Sequence, residues 1–166
     1  RRQRQMCIRD REETALGHVD VQVVTRPDGT RAYTVSIPGS DFDNLWAENE
    51  PNGTFSALDL ASADGTASLA QSPVLMQMVD QALREAGASA SDEVLLTGFS
   101  QGGMTAQALA ANRDFRSRWT VAGVLSMGAP TSAYGGIPED IPVLSVEDVN
   151  DVVPAVLAEG LSLIHI

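Results

Sequence analysis

A short apolar run, Glu93-Val94-Leu95-Leu96-Thr97, stops at Gly98 and passes through Phe99-Ser100-Gln101-Gly102 into a helix-compatible stretch, residues 101–112, with Met104, Ala108, Leu109 and Ala111 among its apolar residues. No other part of the chain constrains the fold as tightly. A strand that turns sharply into a helix leaves little room beside the turning residue, so the positions two before and two after it need minimal side chains. Gly98 and Gly102 supply them. The pattern G-x-S-x-G in this setting is the strand-to-helix turn that holds a serine hydroxyl above a sheet. Gly103 adds close approach of helix and sheet. In a chain with 14 glycines the bare pattern is weak, and a Gly-rich turn with a solvent-facing serine is the plain alternative. The strand before it and the helix after it are what give it meaning.

The rest of the chain fits around such a unit. Val19, Val21 and Val23 alternate with polar residues, Pro27-Asp28-Gly29 makes a turn, and Tyr33, Val35 and Ile37 resume the alternation, which predicts a β-hairpin. Pro38-Gly39-Ser40 ends its second strand, and residues 41–65 show no period. Phe42 and Trp46 in that stretch either pin a loop to the core or line a cleft. Ser72-Pro73 opens a helix whose apolar face is Leu75, Met78, Val79, Ala82, Leu83 and Ala86, with Gly87 just past its end. Residues 121–127 and 141–146 read as two more buried strands. Strands alternating with helical stretches predict one α/β domain, a mostly parallel sheet flanked by helices, with right-handed crossovers.

The ends have a different character. Residues 1–11 hold five of the chain's eleven basic residues, and both they and the closing Leu-Ser-Leu-Ile-His-Ile of 161–166 resemble translated sequencing-adapter sequence. The expectation is a native core at 12–160 with non-native ends. That core carries six Arg, no Lys and 21 acidic residues, a formal charge of −15. Such a balance opposes binding to nucleic acid or to anionic lipid surfaces. The single cysteine, Cys7, lies in the suspect end, so the core has no thiol for a disulfide, a zinc site or a nucleophile, and its compartment stays open. No run approaches the roughly 18 apolar residues of a membrane span.

The residues Gly98-Phe99-Ser100-Gln101-Gly102-Gly103 resemble the nucleophile turn of cutinase-like and actinobacterial lipase- or esterase-like α/β-hydrolases. Val121-Ala122-Gly123-Val124-Leu125-Ser126-Met127-Gly128-Ala129-Pro130 looks like the strand after the nucleophile helix in such proteins, and residues 141–154 look like the strand and loop that deliver the acid. The resemblance covers residues 31–154 and implies a three-layer α/β-hydrolase sandwich, incomplete at its C-terminus. It implies Ser100 as nucleophile and Asp151, before Val152-Val153-Pro154, as the acid, with Asp148 as its rival. A solvated acidic loop is the plain alternative for both. The oxyanion donors expected are the backbone N–H of Gln101 and one from the turn after the second hairpin strand, at Ser40 or Asp41.

The nucleophile-then-acid order fits the family, yet the expected core holds no histidine after the acid. His18 precedes the first strand, and His165 sits in the foreign-looking end; both read as coincidental, and the expectation is a truncated chain without activity. The implied activity is hydrolysis of a carboxylic ester or thioester, small-molecule or lipid, through an acyl group on Ser100, with no metal and no cofactor. The competing expectation is a non-catalytic binding domain on the same fold.

Overall fold

The computed structural model describes residues 18–40, 65–129 and 136–148, together with the backbone of 164–165. Within them lie β1 (Asp20–Thr25), β2 (Arg31–Ile37), a 3-10 turn (Leu69–Gln71), α1 (Val74–Glu85), β3 (Glu93–Phe99), α2 (Gln101–Ala111), α3 (Arg113–Arg118), β4 (Thr120–Met127), β5 (Val143–Glu147) and β6 (Ile164–His165). The predicted hairpin, both predicted helices and the three later strands are all present, but β5, expected to be buried, has Val143 and Leu144 exposed. The class is α/β.

The strands form one mixed, mostly parallel sheet in the order β1-β2-β3-β4-β5-β6. Only β1 runs antiparallel to its neighbour, pairing Asp20 with Ser36 and Thr25 with Arg31. The hairpin turn is held by Asp28, whose carboxylate accepts from the Thr30 N–H at 2.9 Å and the Thr30 hydroxyl at 2.7 Å, while Gly29 takes φ 86°. The other pairings are parallel.

Strand alternation sorts the sheet into two faces. Val35, Leu96 and Val124 share a register row and are fully or almost fully buried. That face meets α2, whose residues are buried along its whole length, and α1 packs beside it. Leu95 and Phe99 alternate onto the opposite face and stand 38% and 56% exposed. Among the described residues, α1 and α2 lie on one side of the sheet, as right-handed crossovers between successively placed strands require.

Helix α1 ends as its sequence foretells: the Gly87 N–H donates to Arg84 O, the Ala88 N–H to Leu83 O, and Gly87 takes φ 75°. Its buried face differs in detail from the expected one, because Met76 and Asp80 are buried with Leu75, Val79 and Leu83, while Met78 is only partly covered. Asp80 tolerates that position by accepting from the Trp119 indole N–H at 2.8 Å and from Arg84 and Arg118. The short α3 is capped by Asn112, whose side chain accepts from the Phe115 N–H at 2.9 Å.

The pair Ile164–His165 continues the parallel ladder, with Ile164 opposite Val146 and His165 opposite Glu147. Residues 1–17 lie outside the described residues, as do Asp41, Phe42, Trp46 and Asp151. Among the described residues no helix is long and apolar enough to cross a membrane.

Candidate functional site

Ser100 stands between the last residue of β3 and the first of α2, with φ 53° and ψ −123°. It is the one residue other than glycine with positive φ among those described. An L side chain there costs on the order of 1–3 kcal/mol, so the surroundings must hold it. They do so from both sides. The Ser100 N–H donates to Met127 O at 2.8 Å, extending the β3–β4 ladder, and Ser100 O accepts from the Gly103 and Met104 N–H groups at 2.9 and 3.2 Å.

The glycines around Ser100 are sterically required. A Cβ on Gly98 would stand 2.2 Å from the carbonyl carbon and oxygen of Gly102, and one on Gly102 would stand 2.1 Å from Ile37 O. One on Gly103 would meet Ser126 Oγ at 2.5 Å and Ala129 Cβ at 2.7 Å. The end of β2, the end of β3 and the first turn of α2 are thus pressed together backbone to backbone. The spacing of glycines about the serine is a consequence of that contact.

The Pro38-Gly39-Ser40 turn closes the site from the β2 side. A Cβ on Gly39 would lie 3.1 Å from Phe99 O and 3.4 Å from Ser100 Cβ, so the turn touches the serine. The Ser40 hydroxyl donates to Gln101 Oε1 at 3.0 Å, and Gln101 is almost wholly buried. Helix α2 is further fixed by the Thr105 hydroxyl, which donates to Gln101 O at 2.9 Å. The arrangement brings together three of the residues singled out from sequence: Ser100, Gln101 and Ser40. The positive end of the α2 helix dipole lies at the same point. Chemically, this is an environment suited to negative charge beside a serine hydroxyl.

No family model, curated protein or solved structure matches this chain.

The acidic loop is reached only in part. Asp148 is exposed just after β5, at the same sheet edge as Ser100, and Glu147 before it is buried. Asp151 lies outside the described residues. The two histidines fall on opposite sides of Ser100. The ladder bonds Ser100 N–H to Met127 O and Gly128 N–H to Val146 O, with His165 opposite Glu147, put three strand spacings between Ser100 and His165. At about 4.8 Å each, that is roughly 14 Å. His18 is nearer: β1 is antiparallel, so its start lies at the end of β2 where the Gly39 turn touches Ser100. Chain order hides this, because a residue before the first strand reads as remote until the hairpin reverses it. The hydrogen bond between Ser40 and Gln101, whose side chains are far apart in sequence, likewise has no local signal. Among the described residues, no three His, Cys, Asp or Glu side chains cluster as a metal would need.

Proposed function

We propose that this chain is a serine hydrolase of the α/β-hydrolase type, cleaving a carboxylic ester or thioester through an acyl-enzyme on Ser100. The observation that carries the reading is the backbone of Ser100, φ 53° and ψ −123°, held between β3 and α2 by glycines that no other residue could replace without collision. Strain of this kind persists where it serves a purpose, and here it lifts one hydroxyl out of both neighbouring elements.

In this reading Ser100 Oγ attacks the acyl carbonyl as its proton passes to a base. The developing oxyanion is met by the backbone N–H of Gln101 at the start of α2 and by a donor from the Ser40 turn. The bond between the Ser40 hydroxyl and Gln101 Oε1 supports this role, since it fixes the two donors relative to each other. Asp151, or Asp148, orients the base. In the three-layer sandwich that the reading implies, a second helix layer lies on the sheet face that carries Leu95 and Phe99.

The test is covalent labelling with a fluorophosphonate, followed by peptide mapping, beside turnover of p-nitrophenyl butyrate. Modification at Ser100, lost in Ser100→Ala together with turnover, is the expected result. A Ser100 that neither takes the label nor affects turnover leaves the binding-domain reading in its place.

A further inference from the structure

Chain order argues that His18 cannot belong with Ser100, but triads of one geometry occur with histidine before, between or after the other members. The placement in this fold is what matters. β1 pairs Asp20 with Ser36 and Val21 with Val35, so continuing the register two residues toward the N-terminus brings His18 opposite Pro38. β2 in turn pairs Ile37 with Gly98, which sets Pro38 beside Phe99 and Gly39 beside Ser100. Two strand spacings of about 4.8 Å separate the His18 backbone from the Phe99-Ser100 segment, roughly 10 Å. Gly39 lies between them and carries no side chain, which leaves that side of Ser100 open, and an imidazole with one bridging water is long enough to span the gap. His18 is exposed and lies at the open edge of the sheet, so its ring has room to swing. His165 lies farther from Ser100, on the opposite side of it.

We propose that His18 is the general base for Ser100 in this chain, an assignment that rests on Ser100 as nucleophile in the hydrolase reading above but takes the base without the acid's help, because Asp148 follows β5 on the other side of Ser100. As the Ser100 Oγ bond to the acyl carbon forms, the hydroxyl proton moves to the free ring nitrogen of His18, directly or through one water, and the carbonyl electron pair moves onto oxygen. The tetrahedral species collapses, the bond to the leaving alkoxide breaks, and the imidazolium returns its proton to that alkoxide. A water then attacks the acyl group, again giving a proton to His18, and Ser100 recovers that proton as it leaves. Nothing is oxidised or reduced.

The experiment uses the whole chain and p-nitrophenyl butyrate, with Ser100→Ala, His18→Ala, His18→Gln and His165→Gln beside the parent. Removing a general base lowers turnover by about 10²- to 10⁴-fold. The expected result is a loss of that order in both His18 variants, recovery of His18→Ala on addition of free imidazole, and no change in His165→Gln. Thermal unfolding of the His18 variants should match the parent, because the residue is exposed. Turnover abolished by Ser100→Ala but within twofold of the parent in His18→Ala would overturn His18 as base while leaving the hydrolase reading standing. So would a His18→Ala loss that imidazole does not restore, or fluorophosphonate labelling of Ser100 without turnover in the parent. Neither labelling nor Ser100-dependent turnover would overturn both.

Discussion

Gly102→Ala tests the packing on which the site depends. The added Cβ would lie 2.1 Å from Ile37 O, 2.7 Å from Pro38 O and 2.8 Å from the Ile37 carbonyl carbon, where real contacts are essentially never under 3.0 Å. All three are backbone atoms, so no side chain can rotate out of the way. The first turn of α2 must then retreat from the end of β2 by close to an ångström, loosening the hydrogen bonds that hold Ser100 O. Overpacking in a fitted region costs about 1–3 kcal/mol, occasionally more, and a backbone-to-backbone collision belongs at the top of that range. About 3 kcal/mol is a large part of the 5–15 kcal/mol by which a domain is stable. Gly29→Ala is the control: nothing lies within 4 Å of its new Cβ, and only the positive φ of 86° is penalised, at roughly 1–2 kcal/mol. Urea unfolding followed through tryptophan fluorescence, with unchanged slope, measures both. A Gly102→Ala variant less destabilised than Gly29→Ala, or within about 0.5 kcal/mol of the parent, would refute the steric argument.

Ser100→Gly should raise the melting temperature while abolishing turnover, because relief of about 1–3 kcal/mol of backbone strain exceeds the roughly 0.5–1 kcal/mol entropic cost of glycine; a lower melting temperature would contradict it. Ser40→Ala removes the bond to Gln101 Oε1 and is expected to cut kcat on p-nitrophenyl butyrate by about 10- to 100-fold with little change in KM, as loss of a group acting mainly in the transition state does. Asp80→Ala leaves the buried Trp119 N–H without its acceptor, removes the carboxylate partner of Arg84 and leaves Arg118 with Asp114 alone, a loss of about 2–4 kcal/mol in urea unfolding. Hydrogen bonds from the Ser89 hydroxyl and N–H hold the Asp92 carboxyl below its usual range, and the Leu69 N–H, with Arg118, does the same for Asp114. Folded values below unfolded ones mean this stability is present above the unfolded pKa and lost as pH falls below about 4, so melting temperatures should drop between pH 5 and 3 rather than stay level.

Much of the fold was legible because each element carries its own local signal. The hairpin showed through valine alternation and the Pro27-Asp28-Gly29 turn, and α1 through Ser72-Pro73 at its start and Gly87 at its end. The strand-to-helix turn at Ser100 was legible because steric crowding writes itself into sequence as glycines at fixed offsets. What escaped is what depends on partners distant along the chain. Asp80 looks like a surface residue until Trp119 and Arg118 are brought to it, and the six-residue α3 is too short to show a period. His18 was set aside on chain order, which carries no information about an edge that an antiparallel strand turns back to reach. For the acid, Asp148 is seen at the Ser100 edge, and Asp151 stays an expectation from resemblance.

The described strands lie across the sheet in the same order in which they occur along the chain. A chain made from its N-terminus, at about 5–20 residues per second, can therefore add each new strand to an outer edge that is already formed. No described strand has to wedge between two that have paired. Growth of the sheet during synthesis would then follow the ribosome, with the β1–β2 hairpin as its template and the strained serine completed only when β4 arrives to accept the hydrogen bond from its N–H.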